Sequence, residues 1–222
     1  MFSSVSGIIS HLSTTLKNSF SETVNMPDEF MSLGSFCQAY RECRSQHEKS
    51  TLVANHTKYL KWQLGSANLS SAQICEILKR CLICRTLGHD VSFAVIHAIQ
   101  LAQSSEIWHH KRTAYVTCCE LMDAQSEMAI LMVATLQRDL RGRHVPTICL
   151  ALSAAANFVS AELIPSVDAI VCERLRHSVS MVRRKAVICL GAFLKRDEEL
   201  IESKFSCLRV SKIVHSDKVF VL

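Results

Sequence analysis

Helix breakers are nearly absent from this chain, and that shortage restricts its fold more than any single motif. Only 6 Gly and 3 Pro occur in 222 residues, while Leu, Ile, Ala and Val are spread along the whole length. Gly and Pro cost the most inside a helix, and an all-β chain this long would need many more of them in its turns. The composition predicts an all-α protein with enough residues for one sizeable core.

Apolar spacing divides the chain into helices. Leu33, Phe36, Cys37 and Tyr40 share one side of a first helix, from Phe30 to about His47. A second, more polar helix runs from Glu48 to about Leu64. Gly65–Leu69 is a loop, after which Ser70 or Ser71 caps a new helix by accepting a bond from a free backbone N–H. Ile74, Ile77, Leu78, Cys81 and Leu82 form the apolar face of that helix, which ends at Leu87-Gly88. Gly88 stands where a C-terminal cap needs positive φ. Asp90 or Ser92 caps the next helix, which repeats Val95, Ile96, Ile99 and Ala102 up to Gln103. Another follows from about His109 to Met122, with Tyr115 and Cys118 or Cys119 inward. Ser126–Leu140 carries Met128, Leu131, Met132 and Leu136 as its stripe, and Arg141-Gly142-Arg143 breaks it. Val145–Val159, Ala161–Arg176 and Ser178–Lys195 come next, then a shorter piece from about Glu198.

Helices of about 14–18 residues in units of roughly 35–45 predict a right-handed α-solenoid of HEAT or armadillo-type helix pairs. The best local repeat runs from Pro165 to Phe193. It places Pro at the first turn of one helix and a polar loop at His177–Ser180. Val182 and Ala186 are expected to pack inward, and Arg183 to pair with loop carbonyls or carboxylates. Met1–Glu29 reads as a flexible leader. Its stripe of Val5, Ile8, Ile9, Leu12, Leu16 and Phe20 suits either a weakly helical solvated tail or a helix lying in a bilayer surface. The solenoid is expected over 30–205. Residues 206–222, with Val210, Ile213, Val219 and Phe220, lack the polar face of a capping repeat. They read as a divergent or truncated tail.

The residues point to binding rather than catalysis. A formal charge of +5, with no basic run longer than Arg183-Arg184-Lys185, gives no case for nucleic acid. Of the 11 cysteines, Cys75, Cys81, Cys84, Cys149 and Cys189 fall inside apolar helical patterns, where a thiol acts as a small hydrophobe. An odd count fits a reducing compartment, and Cys81-Leu-Ile-Cys84 has no second pair at zinc-ligand spacing. Phosphate-loop, dinucleotide and nucleophile-elbow patterns are missing. His109-His110 reads as a solvated helix entry, and Asp197 with Glu198-Glu199 as an exposed acidic turn. No apolar run is about 20 residues long, the length that spans a bilayer. The expectation is no enzyme, no cofactor and no metal.

The stretch Leu87–Gln103, LGHDVSFAVIHAIQLAQ, resembles a signature of the adaptins, the large subunits of clathrin-type adaptor complexes. The resemblance extends over roughly Leu33–Phe205. It takes in Lys111-Arg112 with Tyr115, then Glu127-Met128, Thr135 and Asp139-Leu140. It closes on Ile164-Pro165, His177 and Val182-Arg183-Arg184-Lys185-Ala186. Ser92-Phe93, Ile96-His97-Ala98 and Ile164–Val167 are most like the epsilon-type branch, with gamma-type subunits the nearest rivals.

Membership implies the amino-terminal part of a large-subunit trunk, an α-solenoid. Such a trunk assembles with a second large, a medium and a small chain. It is recruited to the trans-Golgi network by an Arf-family GTPase in its GTP state and sorts cargo tails, as a cytoplasmic protein peripheral on Golgi membranes. By position, Ile96 and Ile99 match the apolar pair that meets the GTPase in gamma-type trunks, though both also lie on the apolar stripe of their helix. The phosphoinositide-binding lysine cluster of alpha-type subunits is replaced here by Ser71-Ala72-Gln73-Ile74, leaving Lys79 and Arg80 as the nearby basic pair. A generic HEAT-type scaffold or transport receptor is the alternative reading.

Overall fold

The structure, a computed structural model, describes residues 32–66 and 68–197. The leader, the Glu198-Glu199 turn and the 206–222 tail lie outside the described residues. Among those described, every regular element is helical. The described residues divide into two compact units, one formed by those up to Leu69 with Ile83–Asp90, the other by Ser70–Leu82 with Val91–Asp197.

In the first unit, α1 (Leu33–Glu42) and α2 (Gln46–Leu64) form a hairpin. The expected first helix ends at Glu42 rather than at about His47, and beyond it Ser45 and Glu48 make a capping box. Ser45 Oγ accepts from the Glu48 amide, and the Glu48 carboxylate accepts from the amides of Arg44 and Ser45. That box starts α2 with three residues between it and the end of α1. Phe36 stacks on the His56 ring at 4.1 Å, with Val53, Leu60 and Leu64 buried around them. The end of α3 (Ser71–Thr86) closes as expected. Gly88 has φ +87, and the His89 amide bonds back to the Cys84 carbonyl. At the other end of α3, Ser70 Oγ accepts from the Gln73 amide.

The second unit repeats one motif. A 3-10 turn leads into an α-helix, and a second α-helix returns. The turns are Ser92–Ala94, Glu127–Met132 and Ala161–Ser166, spaced about 35 residues apart. The outgoing helices are α4 (Val95–Ser104), α6 (Val133–Arg141) and α8 (Asp168–Arg174). The returning helices are α5 (Trp108–Leu121), α7 (Val145–Phe158) and α9 (Ser180–Arg196). α7 packs against both α5 and α9, so the pairs stack as an α-solenoid. Val182 and Ala186 are buried, as expected.

The 3-10 turns replace what the apolar spacing reads as continuous helix. In Glu127–Met132, the buried residues are Ala129 and Met132, three apart, which suits 3.0 residues per turn. Leu131, expected inward, is exposed instead. Pro165 lies inside the third turn rather than in an α-helix, and α8 begins only at Asp168. Proline has no N–H to donate, so an α ladder cannot pass through it. Val91 and Ala94 stand at the N-cap positions before α4, and neither supplies a side-chain cap. Cys149 is half-buried rather than buried.

Candidate functional site

Lys111 and Tyr115 lie one turn apart on α5, on the same stripe as Ala114 and Cys118. Asp139 lies on α6 between Leu136 and Leu140. All three side chains are buried, and they meet. Lys111 Nζ is 2.8 Å from Asp139 Oδ1, and the Tyr115 hydroxyl donates to Oδ2 at 2.8 Å. Arg138 Nε reaches Oδ1 at 3.3 Å. Its terminal nitrogens extend to the carbonyls of Ala102 and Gln103 at the end of α4, 3.3–3.5 Å away. One carboxylate thus ties α5 to α6, and its neighbour on α6 caps α4.

Burial, then the Asp139 charge, pushes the Tyr115 phenol well above its ordinary pKa, so it stays a proton donor to that carboxylate. Burial raises the Cys118 and Cys189 thiols to about 12 and Cys119 to about 11. Thiolate is the nucleophilic form, and burial disfavours it at all three positions. Among the described residues no cluster of His, Cys, Asp and Glu is arranged to hold a metal ion.

Two further arginines serve helix ends. Arg183 Nη1 donates to the carbonyls of His177 and Ser178, both at 2.9 Å, which is the loop-carbonyl pairing expected from sequence. Arg196, at the end of α9, donates to the carbonyls of Ala156, Asn157 and Val159 at 2.7, 2.6 and 3.0 Å. The arginine therefore holds the C-terminus of α7 beside that of α9, so the two helices run parallel. At the opposite end, the rings of Trp108 and His144 meet edge to face at 5.4 Å, placing the start of α5 beside the start of α7.

The residues expected at binding sites separate by exposure. Ile96 is 37% exposed, whereas Ile99 is 1% exposed and belongs to the core. Only Ile96 is available to touch a partner in this conformation. Lys79 is exposed and pairs with Glu76 at 3.3 Å, a surface contact of small energetic weight. Arg80 is 3% exposed and offers no surface charge as it stands. His110 is not a solvated helix entry. It is buried, with Nδ1 3.4 Å from Ser105 Oγ, and burial, the neighbouring His109 and Lys79 lower its pKa. Lys111 and Asp139 were legible as family markers but not as a contact. The signal was a charged residue on the inward stripe of each of two helices.

Exposed apolar side chains supply the remaining surface. Ile107, Trp108, Val179 and Met181 project at the turns that lead into α5 and α9. At the other end of the pairs lies a cleft of about 680 Å³, lined by Ser126, Glu127, Ile130, Glu162, Leu163 and Arg196 among others.

Residues 55–222 match the adaptin N terminal region. The chain is 32% identical to the human AP-4 complex subunit epsilon-1 over 161 residues, which is 72% of this chain and 14% of that protein. It is 30% identical to the AP-4 complex subunit epsilon of Arabidopsis thaliana over 168 residues, 76% of this chain and 18% of that protein. With the AP-1 complex subunit gamma-1 of Schizosaccharomyces pombe, identity is 24% over 207 residues, 93% of this chain and 24% of that protein. The chain thus spans less than a fifth of the epsilon-type relatives it matches here. With an all-α repeat stack, a buried network built from the motif residues Lys111, Tyr115 and Asp139, and this match over most of its length, the chain belongs to the adaptin family.

Proposed function

We propose that this chain acts as part of the trunk of a large adaptor subunit of the epsilon type, in vesicle-mediated protein transport and cargo sorting at the trans-Golgi network. The observation that carries the reading is the family match, which covers residues 55–222. The partners are a second large chain, a medium chain and a small chain, with cargo tails and a GTP-bound Arf-family GTPase. The chain works by binding, and weak contacts to GTPase, cargo and lipid add through avidity. Ile96 offers the GTPase an apolar contact, and Ile99 beneath it holds the helix in place. Lys79 offers a cation to lipid head groups, with Arg80 buried behind it.

Affinity purification of the tagged chain from its native cells, with partners identified by mass spectrometry, tests this reading. Recovery of a second adaptin with a medium and a small chain is the expected result. Ile96→Asp should then lose the GTPase and keep the subunits. A folded chain that recovers none of these partners would overturn the reading in favour of a generic helical scaffold.

A further inference from the structure

Charge is segregated between the two ends of the helix pairs in the second unit. α5, α7 and α9 start at one end, as the Trp108–His144 contact and the Arg196 carbonyl bonds establish. The turns at that end expose Arg141, Arg143 and Arg176, and one helical turn further in stand Arg112 and Arg184. Exposed anions there are Glu106 and Glu173, and Glu173 is within 3.5 Å of Arg174. The opposite end exposes Glu120, Asp123, Glu127 and Glu162, with Lys195.

The cationic end also carries apolar side chains. Ile107 is 51% exposed and Met181 52%, with Trp108 and Val179 beside them in their turns. Ile107 with Trp108 stands in one turn and Val179 with Met181 in another, each within a few residues of an arginine. Packed helices lie about 8–10 Å apart, so three parallel helix starts form a row rather than a pocket. The N-cap residues of these helices, Ile107, His144 and Val179, make no side-chain caps, so the positive ends of the three helices face the same way.

We propose that this turn edge, from Ile107 through Arg141 and Arg143 to Met181, docks on an anionic membrane surface. Apolar side chains set in successive turns along one edge fit a flat interface. Trp and aliphatic side chains partition into the headgroup layer, while arginines beside them meet the negative surface potential within a Debye length. An acidic protein would meet the arginines but leave the apolar side chains without a hydrophobic cavity. The inference rests on the adaptor reading for the presence of a membrane, and it adds a contact separate from Lys79.

Co-sedimentation of the full chain with phosphatidylcholine vesicles, with and without phosphatidylserine, tests it. The chain should bind the phosphatidylserine vesicles, and less so as salt rises. Arg141→Glu with Arg143→Glu should weaken that binding roughly tenfold or more, and Arg176→Glu alone should weaken it severalfold. Ile107→Ser with Met181→Ser should weaken binding at unchanged charge. Lys195→Glu, at the other end, should leave it unaltered. Circular dichroism checks that each variant is folded. Absence of binding to anionic vesicles, or arginine variants that bind like the unaltered chain, would overturn the proposal. So would binding to polyglutamate that is stronger than to vesicles and insensitive to the Ile107 and Met181 changes. Subunit recovery reads the adaptor assignment independently, so failure of one test does not imply failure of the other.

Discussion

Asp139 ties α5 to α6 through one buried carboxylate. Its carboxylate satisfies a lysine and a phenol, all three buried. Removing one partner of a buried ion pair leaves the other charge without compensation. Asp139→Ala should therefore cost about 3–5 kcal/mol, measured by urea denaturation at pH 7. Tyr115→Phe should cost about 2 kcal/mol, since it deletes one bond to a charged acceptor. Replacing Lys111 by Met together with Asp139 by Leu should recover part of the loss, because the pair is then exchanged for apolar contact. A cost below about 1 kcal/mol for Asp139→Ala would contradict the network's role. At this scale the sequence was legible where backbone chemistry decides. Gly88 adopts the positive φ that its place after an apolar run requires. Exposure was harder to read. Ile96 and Ile99 lie on one apolar stripe, and only packing by neighbouring helices decides that the first is at the surface and the second in the core.

Helix ends are held by arginines reaching from a later helix. Arg138 caps α4, and Arg196 caps α7 with three carbonyl bonds across 37–40 residues of sequence. The last carbonyls of a helix lack intrahelical donors, and a planar guanidinium can serve several at once. Arg196→Ala should destabilise the chain by about 1–2 kcal/mol in the same urea assay. Hydrogen exchange should show faster opening at the Asn157–Val159 end of α7. Arg196→Lys should rescue only part, because an ammonium cannot fork across the same three carbonyls. An alanine variant with unaltered exchange there would contradict this role. The helical periods gave element existence and type but not every pairing: Val145–Val159 reads as the partner of Ala161–Arg176, whereas α7 packs with α6 and α8 packs with α9. They could not separate 3-10 from α-helix in Glu127–Met132, since an apolar step of three residues belongs to both. They also could not locate the Arg196 cap, which depends on two helices lying parallel.

At the scale of the whole molecule, scarcity of breakers leads to helices, and their common period leads to stacked pairs. The pairs then present surfaces. Burial accounts for the charged residues inside as structural ties and for Cys118, Cys119 and Cys189 as thiols held protonated. What the pairs bind was legible only through the specific residues of Leu87–Gln103 and the markers after it, because apolar periodicity is shared by every helical repeat protein. The central claim is that this stack is a large-subunit trunk, and a small adaptor chain discriminates it from a generic scaffold. The direct measurement is co-expression with the small chain of an epsilon-type complex, followed by gel filtration with light scattering. Co-elution of the two chains in a one-to-one complex is the predicted result. Separate elution of two folded, monomeric chains would contradict it.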